Sequence, residues 1–342
     1  MSVLQATTNP AERPEPSSAA FLGCIQDELS SVEQVLKDEI RSDVRAAYAI
    51  SGHTLAAGGK RLRPALVILA ARAVQNSYPT RTIHASASAA ELIHMASLIH
   101  DDVVDGAEER RGRPTANAAF GNQISVLVGD YLLAKSIYLA AREGNLDVIR
   151  VFSNVTIGLS EGEVLQITSR GDASTPEETY LRIIEKKTAG FIAGCCEIGA
   201  MLADASPEVI EAMKAYGLNC GLAFQVADDL LDYTGDPSVT GKALDGDLRE
   251  GKMTLPLILA LRDADSDLRT ELARILEAPE SLTPADIALV HDSIERCDGY
   301  RRTGIVARGY VEAAQAALLA VEPSPYRDAL SALAEYAAAR RR

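Results

Sequence analysis

From Phe21 onward the apolar positions recur every three or four residues. In "FLGCIQDELSSVEQVLKDEIRSDV" they fall at Phe21, Leu22, Ile25, Leu29, Val32, Val35, Leu36 and Ile40, a spacing that lays one stripe along a helix. Strand-like alternation is scarce in the rest of the chain. Pro64, Pro79, Pro114, Pro176, Pro207, Pro237, Pro256, Pro284 and Pro325 stand between periodic segments rather than inside them. In "STPEE", "ASPEV" and "LTPAD" a hydroxyl residue precedes such a proline, the order of a helix start. The pattern predicts an all-α fold, a single large bundle of roughly ten to thirteen helices around a central cavity, joined mostly by short loops. The segments "ASAAELIHMASLIH" and "GLAFQVADDLLDY" are apolar on most sides, which places them in the middle of that bundle.

Length alone, at about 150 residues per domain, would suggest two domains for 342 residues. No linker or low-complexity block interrupts residues 21–342, so the helical pattern favours one large domain over that span. Residues 1–20, rich in Pro, Ser, Thr and Glu, read as a disordered tail without the basic and apolar regions of a secretory signal. No apolar run is expected to span a bilayer. The net charge of −14 argues against binding nucleic acid, which calls for basic stripes. An odd set of five cysteines without metal-ligand spacing, two of them adjacent at Cys195 and Cys196, suits a reducing compartment, so a cytoplasmic protein is expected.

Two short acidic motifs change the picture. Asp101, Asp102 and Asp105 follow one apolar helical run, and Asp228 and Asp232 mark the ends of "DDLLD" after another. Residues i and i+4 share a helical face, so Asp101 and Asp105 project side by side. A lone cluster of this kind is an ordinary charged helix end. Two of them, each at the polar end of a buried helix, call for cations, and oxygen ligands without His or Cys select a hard ion such as Mg²⁺. Basic groups supply the complement: Lys60, Arg61 and Arg63 in "GGKRLRP", then Arg110 and Arg111, Lys186 and Lys187, Lys242 and Lys252. Arginine forks and lysine point charges suit phosphate oxygens.

The ordered motifs "GGKRLRP", "LIHDDVVDGAEERRGRPTAN", "EKKTAG", "FQVADDLLD" and "GKALDGDLREGKMTLP" resemble those of the trans-polyprenyl diphosphate synthases, over roughly residues 21 to 342. The segments "ANAAFGNQISVLVGDYLL" and "SEGEVLQ" are most similar to the long-chain bacterial members. The resemblance implies an isoprenoid-synthase helical fold and a Mg²⁺-dependent prenyltransferase, with about three ions per site. It makes Asp101, Asp105 and Asp228 metal ligands, with Asp102 and Asp232 completing the motifs. It assigns Lys60, Arg63, His94 and Arg111 to isopentenyl diphosphate. Arg110, Lys187, Thr188, Gln225, Lys242 and Lys252 fall to the allylic diphosphate. Lys187, Thr188 and Gln225 stand nearest the chemistry, the last two offering oxygen dipoles to a developing carbocation. On its residues alone His94 is an ordinary core histidine in an apolar helix. The arginines after the first cluster need not pair with its aspartates, since both can share anionic ligands.

Product length should depend on what lies N-terminal to Asp101 along Ser97, Ile93, Ala90 and Ser86, with Ala96 on the neighbouring face. In this family, bulky side chains four or five positions before the motif stop the product early. Ala96 and Ser97 are small, so a product of around eight isoprene units is expected, a size taken from the resemblance rather than the residues. Rival readings are a geranylgeranyl diphosphate synthase, a catalytically silent partner subunit, a terpene cyclase and a helical scaffold. The substrates implied are isopentenyl diphosphate and an allylic diphosphate, and the resemblance implies a homodimer.

Overall fold

The computed structural model describes residues 21–75, 80–235 and 244–339; the expected tail over 1–20 and Lys242 lie outside them. The described chain is almost wholly helical. It runs through α1 (Gln26–Glu39), α2 (Arg45–Ala56), α3 (Leu62–Val74), α4 (Thr80–Val104), α5 (Ala116–Phe120), α6 (Asn122–Arg142), α7 (Leu146–Thr168) and α8 (Glu177–Ile184). A π turn, Glu185–Ala189, carries α8 straight into α9 (Gly190–Leu202), and α10 (Pro207–Thr234) follows. The remainder is α11 (Gly246–Arg249), α12 (Leu255–Asp263), α13 (Ser266–Leu276), α14 (Pro284–Arg296), α15 (Gly299–Ala317) and α16 (Pro325–Ala339).

Two of the three expected hydroxyl starts cap their helices. Ser206 accepts a hydrogen bond from the Val209 amide at the start of α10, and Thr283 forms a reciprocal capping box with Asp286 on α14. At "STPEE" the cap position falls on Pro176, and no side chain caps α8.

Two apolar cores share α10. Its Met213, Tyr216, Cys220 and Ala223 pack with α1, α3, α4, α9 and α16, while its Leu222, Val226 and Tyr233 pack with α12, α13 and α14. The Tyr216 hydroxyl donates to the Leu330 carbonyl at 2.8 Å, tying α16 to α10. Helix α4 is the other central rod, buried from Ile83 to Ile99 over most of its surface. A carboxylate inside α4 needs a partner, as Glu91 has in Arg61, and the aspartate clusters stand at the C-terminal ends of α4 and α10.

The sequence showed no strands, yet a minimal antiparallel hairpin pairs Glu109–Arg110 with Arg113–Pro114. Arg111 and Gly112 turn it, both in the left-handed region (φ 54° and 72°), the conformation a two-residue hairpin turn demands. Helix α6 bears on a second expectation, that no apolar run spans a bilayer. It is long and apolar enough to cross a membrane by length and composition, and only 39% of its most apolar stretch is buried here. Leu127, Ile137 and Tyr138 on α6, with Ile157 and Val164 on α7, leave apolar surface open.

Candidate active site

At the end of α4 the Asp105 amide closes an i→i−4 bond onto the Asp101 carbonyl at 2.8 Å, so the two carboxylates share a face. Asp101 is pushed up to about 6 by burial; Glu163 and Asp105 add to the shift, and Lys187 opposes it. Arg170 donates to Asp105 at 2.8 Å. Asp102 points inward, 4% exposed, and accepts from Arg110 Nε at 2.8 Å. The freedom expected of the arginines is thus half realised, because Arg110 pairs with Asp102. Burial left that carboxylate needing a permanent cation.

The π turn is the hinge of the site. Lys187, half-buried, pairs with Glu163 of α7, and the next residue, Thr188, donates its hydroxyl to Gln225 Oε1 of α10 at 2.9 Å. Consecutive residues thus face the two acidic helix ends. The extra residue of a π turn is what re-aims them, and such turns concentrate at functional sites. Close approach is possible because position 162 is glycine. A Cβ there would stand 2.8 Å from Lys187 Cγ and 2.9 Å from Lys186 Cβ.

Around the second cluster, Asp229 is 6% exposed and accepts from the Tyr180 hydroxyl at 2.6 Å and from Gln225 Nε2 at 2.8 Å. Burial and the neighbouring Asp247 raise it, against those two hydrogen bonds. Asp232 is pushed up to about 6 by burial and by Asp247, while accepting from the Asp247 amide at 2.9 Å. Asp228 adds its field to both Asp229 and Asp247. Lys252 is the local cation, 3.2 Å from Asp247 and also paired with Glu250; its pKa is raised by these carboxylates in spite of burial. Behind the loop, His291 bridges Asp245 at 2.8 Å and Tyr300 at 2.6 Å, and the Asp245 amide donates to the Asp232 carbonyl.

The basic turn meets the hairpin. Arg111 donates to the Gly58 carbonyl, and a Cβ at Gly59 (φ 147°) would lie 2.8 Å from its guanidinium, so only glycine admits this approach. Arg113 reaches the Ala56 carbonyl at 2.9 Å, and His53 contacts the Pro114 carbonyl at 2.7 Å, pinning the hairpin to α2. Arg63 lies over the Phe191 ring, 4.7 Å from its centroid, with its Nε buried and unpartnered among protein atoms. His94 is close by. Burial, then Arg63, Arg111, Arg110 and Arg61, hold its pKa well below the usual imidazole range, and its Nδ1 is buried without a partner. Arg63, His94, Arg110 and Arg111 therefore converge. Arg61 is engaged elsewhere, at 3.0 Å from Glu33 and 2.9 Å from Glu91. Lys60 lies over the Tyr336 ring of α16 and donates to its hydroxyl.

Below Asp101, Ala96 is 2% exposed, and Ile93, Ala90 and Ser86 are buried. Ser97 donates its hydroxyl to its own helix, at the His94 carbonyl (2.9 Å), leaving a small wall with no protruding donor.

Sequence reasoning passed over Glu163, Arg170, Tyr180, Asp229 and Asp247. Asp229 alone carried a signal: it lies four residues after Gln225 on an apolar helix, on the inward side of its motif.

Among the described residues, no three His, Cys, Asp or Glu side chains gather closely enough to hold a metal by themselves. The acidic helix ends nevertheless fit a hard divalent cation. They offer oxygen only, with half-buried carboxylates crowded by other acids, Asp101 by Glu163 and Asp105, and Asp232 by Asp247 and Asp245. Mg²⁺ ordinarily completes its shell with water and phosphate oxygens.

The pattern of the polyprenyl synthetase family matches residues 44–294. An octaprenyl diphosphate synthase of Escherichia coli is 36% identical over 92% of this chain and 96% of its own length. Component 2 of a heptaprenyl diphosphate synthase from Geobacillus stearothermophilus is 37% identical over 93% and 97%. A crystal structure of a polyprenyl synthase from Caulobacter crescentus, complexed with calcium and isoprenyl diphosphate, superposes with a TM-score of 0.89. It is 36% identical and covers 96% of this chain and 100% of that one.

Proposed function

We propose that this chain, which belongs to the polyprenyl synthetase family, adds isopentenyl diphosphate to an allylic diphosphate and extends it to a long all-trans polyprenyl diphosphate. The observation that carries the reading is the placement of consecutive Lys187 and Thr188 towards the two acidic helix ends. Bound Mg²⁺ would stabilise charge on the departing diphosphate as a Lewis acid, held by Asp101, Asp105, Asp228 and Asp232. A calcium-bound relative supports a divalent ion here.

The protein's own groups do the rest. Lys187 and Lys252 hold the allylic diphosphate, joined by Arg110, whose charge is shared with Asp102. Arg63, Arg111 and neutral His94 receive isopentenyl diphosphate; Lys60 reaches it from its place over Tyr336. Thr188, its proton committed to Gln225 Oε1, turns oxygen lone pairs towards the carbon that becomes cationic as the carbon–oxygen bond breaks. The double bond of isopentenyl diphosphate then attacks that carbon, and a proton is lost to leave a new trans double bond. Departed diphosphate is the base, since no side chain among the described residues at the site presents itself for the task. Burial keeps water from the cation. The growing chain passes Ala96 and Ser97, where no bulky side chain blocks it.

Two copies would close the open apolar surface of α6 and α7, which supports a homodimer rather than a membrane span. Purified chain, Mg²⁺, farnesyl diphosphate and labelled isopentenyl diphosphate test the function, followed by sizing of the dephosphorylated products. Label in products of about eight isoprene units is expected, as in the octaprenyl relative, with loss on chelation and recovery on adding Mg²⁺. No incorporation by the single chain refutes the synthase reading, and products ending at geranylgeranyl length refute the long-chain part. Light scattering should give twice the chain mass; a monomer would refute the dimer.

A further inference from the structure

Four side chains on three elements form one directional hydrogen-bond chain at the heart of the site. The Tyr180 hydroxyl donates to Asp229 Oδ2 (2.6 Å), Gln225 Nε2 donates to Asp229 Oδ1 (2.8 Å), and the Thr188 hydroxyl donates to Gln225 Oε1 (2.9 Å). We propose that Tyr180 and Asp229 are positioning residues that fix the Gln225 amide in one sense and thereby make Thr188 present only oxygen lone pairs to the substrate.

The physics is a matter of hydrogen-bond polarity. A free glutamine amide has two nearly isosteric orientations, one offering oxygen and the other N–H, and a free threonine hydroxyl rotates to donate or accept. Either freedom would be harmful beside a developing carbocation, because a donated N–H or O–H turns the positive end of its dipole towards positive charge. Both oxygens of Asp229 accept, Oδ2 from the Tyr180 hydroxyl and Oδ1 from Gln225 Nε2, so the end of Gln225 that faces Asp229 is its NH₂. The amide oxygen is then left for Thr188, which spends its single proton on it. Every proton in the chain points towards the buried carboxylate, and the electron-rich end is left at Thr188. Tyr180 makes the arrangement rigid. It is 2% exposed on α8 and satisfies the second carboxylate oxygen, so that Asp229 cannot turn away from Gln225. Such dipoles, fixed before reaction, act without reorganising at the moment of charge development. Neither Tyr180 nor Asp229 needs to touch substrate.

This inference rests on the prenyl-transfer reading, and the test separates the two. Wild-type protein is assayed first with farnesyl and isopentenyl diphosphates; absence of turnover there refutes the function itself. Steady-state constants are then measured for Tyr180→Phe, Thr188→Val and the double variant, each checked by thermal melting. For Tyr180→Phe we expect kcat to fall about tenfold with KM for both diphosphates within about twofold, the signature of an interaction made in the transition state. In the Thr188→Val background the same change should cost less than about twofold, because the group it acts through is gone. Thr188→Ser, which keeps the hydroxyl, should retain most activity and the full sensitivity to Tyr180→Phe. Should Tyr180→Phe fold poorly, Asp229→Asn gives the same reading, since an amide in place of the carboxylate no longer dictates which end of Gln225 faces it. Fully multiplicative losses in the double variant, a change confined to KM, or an unaltered kcat in folded Tyr180→Phe would each overturn the proposal.

Discussion

Gly162→Ala isolates the π turn from the rest of the catalytic machinery. The added methyl would stand 2.8 Å from Lys187 Cγ, 2.9 Å from Lys186 Cβ and 3.1 Å from the Lys187 backbone nitrogen. Carbon atoms rest at about 3.5–4.0 Å, so α7 and the turn must separate by roughly 0.6–1.2 Å. Lys187 Cγ could turn aside by a change of χ1, but Lys186 Cβ and the Lys187 nitrogen move only with the backbone of the turn. Stability should fall by no more than about 2 kcal/mol. Overpacking costs about 1–3 kcal/mol, offset by about 1 kcal/mol from replacing glycine inside a helix. Rate should change far more, because a 1 Å misplacement of positioning groups is worth up to about 100-fold, or roughly 2.7 kcal/mol of barrier. Gly158→Ala is the control: on the same helix, its Cβ would meet only the Lys186 carbonyl at an ordinary 3.6 Å. The assay is label incorporation at saturating concentrations of both diphosphates, with a thermal melt of each variant. Gly162→Ala should lose between about tenfold and 100-fold in kcat and no more than about 2 kcal/mol of stability, and Gly158→Ala should keep its rate and gain up to about 1 kcal/mol. Equal activity of the two variants would refute the claim that this contact aims Lys187 and Thr188.

Three further outcomes are expected. Ala96→Phe puts an aromatic ring on a wall where alanine is 2% exposed, and should shorten the products without abolishing turnover; chromatography showing an unchanged distribution would remove Ala96 from the product's path. Arg61→Met strips the guanidinium from Glu91, whose side chain is 5% exposed, and from Glu33, so a loss of about 3–5 kcal/mol is expected in urea melts; a neutral result would show the pair to be dispensable. Burial pushes Asp101 up to about 6 from 3.8, so the folded state binds this proton more tightly than the unfolded chain. Its contribution to stability is full below 3.8 and is lost as pH rises through about 6. In chelator, the stability of wild type relative to Asp101→Asn should therefore fall across that window, and a flat difference would contradict the burial assigned to this carboxylate.

Much of the site is local in the sequence, and that part was legible. A period of 3.6 in the apolar residues predicted the central helices, and the i, i+4 rule put Asp101 and Asp105 on one face. The hydroxyl–proline pairs at Ser206 and Thr283 marked true helix starts because a cap is made within four residues. The failures share a cause. Thr175 looked equally good as a cap, but the helix begins one residue later. The apolar character of α6 was likewise missed, because its few charges, among them Asp130 and Lys135, break the run to the eye without making it polar overall.

What the sequence determined by itself is the inventory: an all-helical chain, two acidic helix ends, and basic groups suited to phosphate. Periodicity and motif spacing are properties of neighbouring residues, and neighbouring residues are what a sequence displays. Tertiary structure decided how that inventory is divided. Arg110 is bound to Asp102 and Arg61 to Glu91, while Arg63, His94 and Arg111 are gathered in one place. It also turned Asp229 inward to Tyr180, 49 residues away in the chain. These assignments follow from which groups lose their water when the helices pack, since a buried charge must find a partner wherever the fold supplies one.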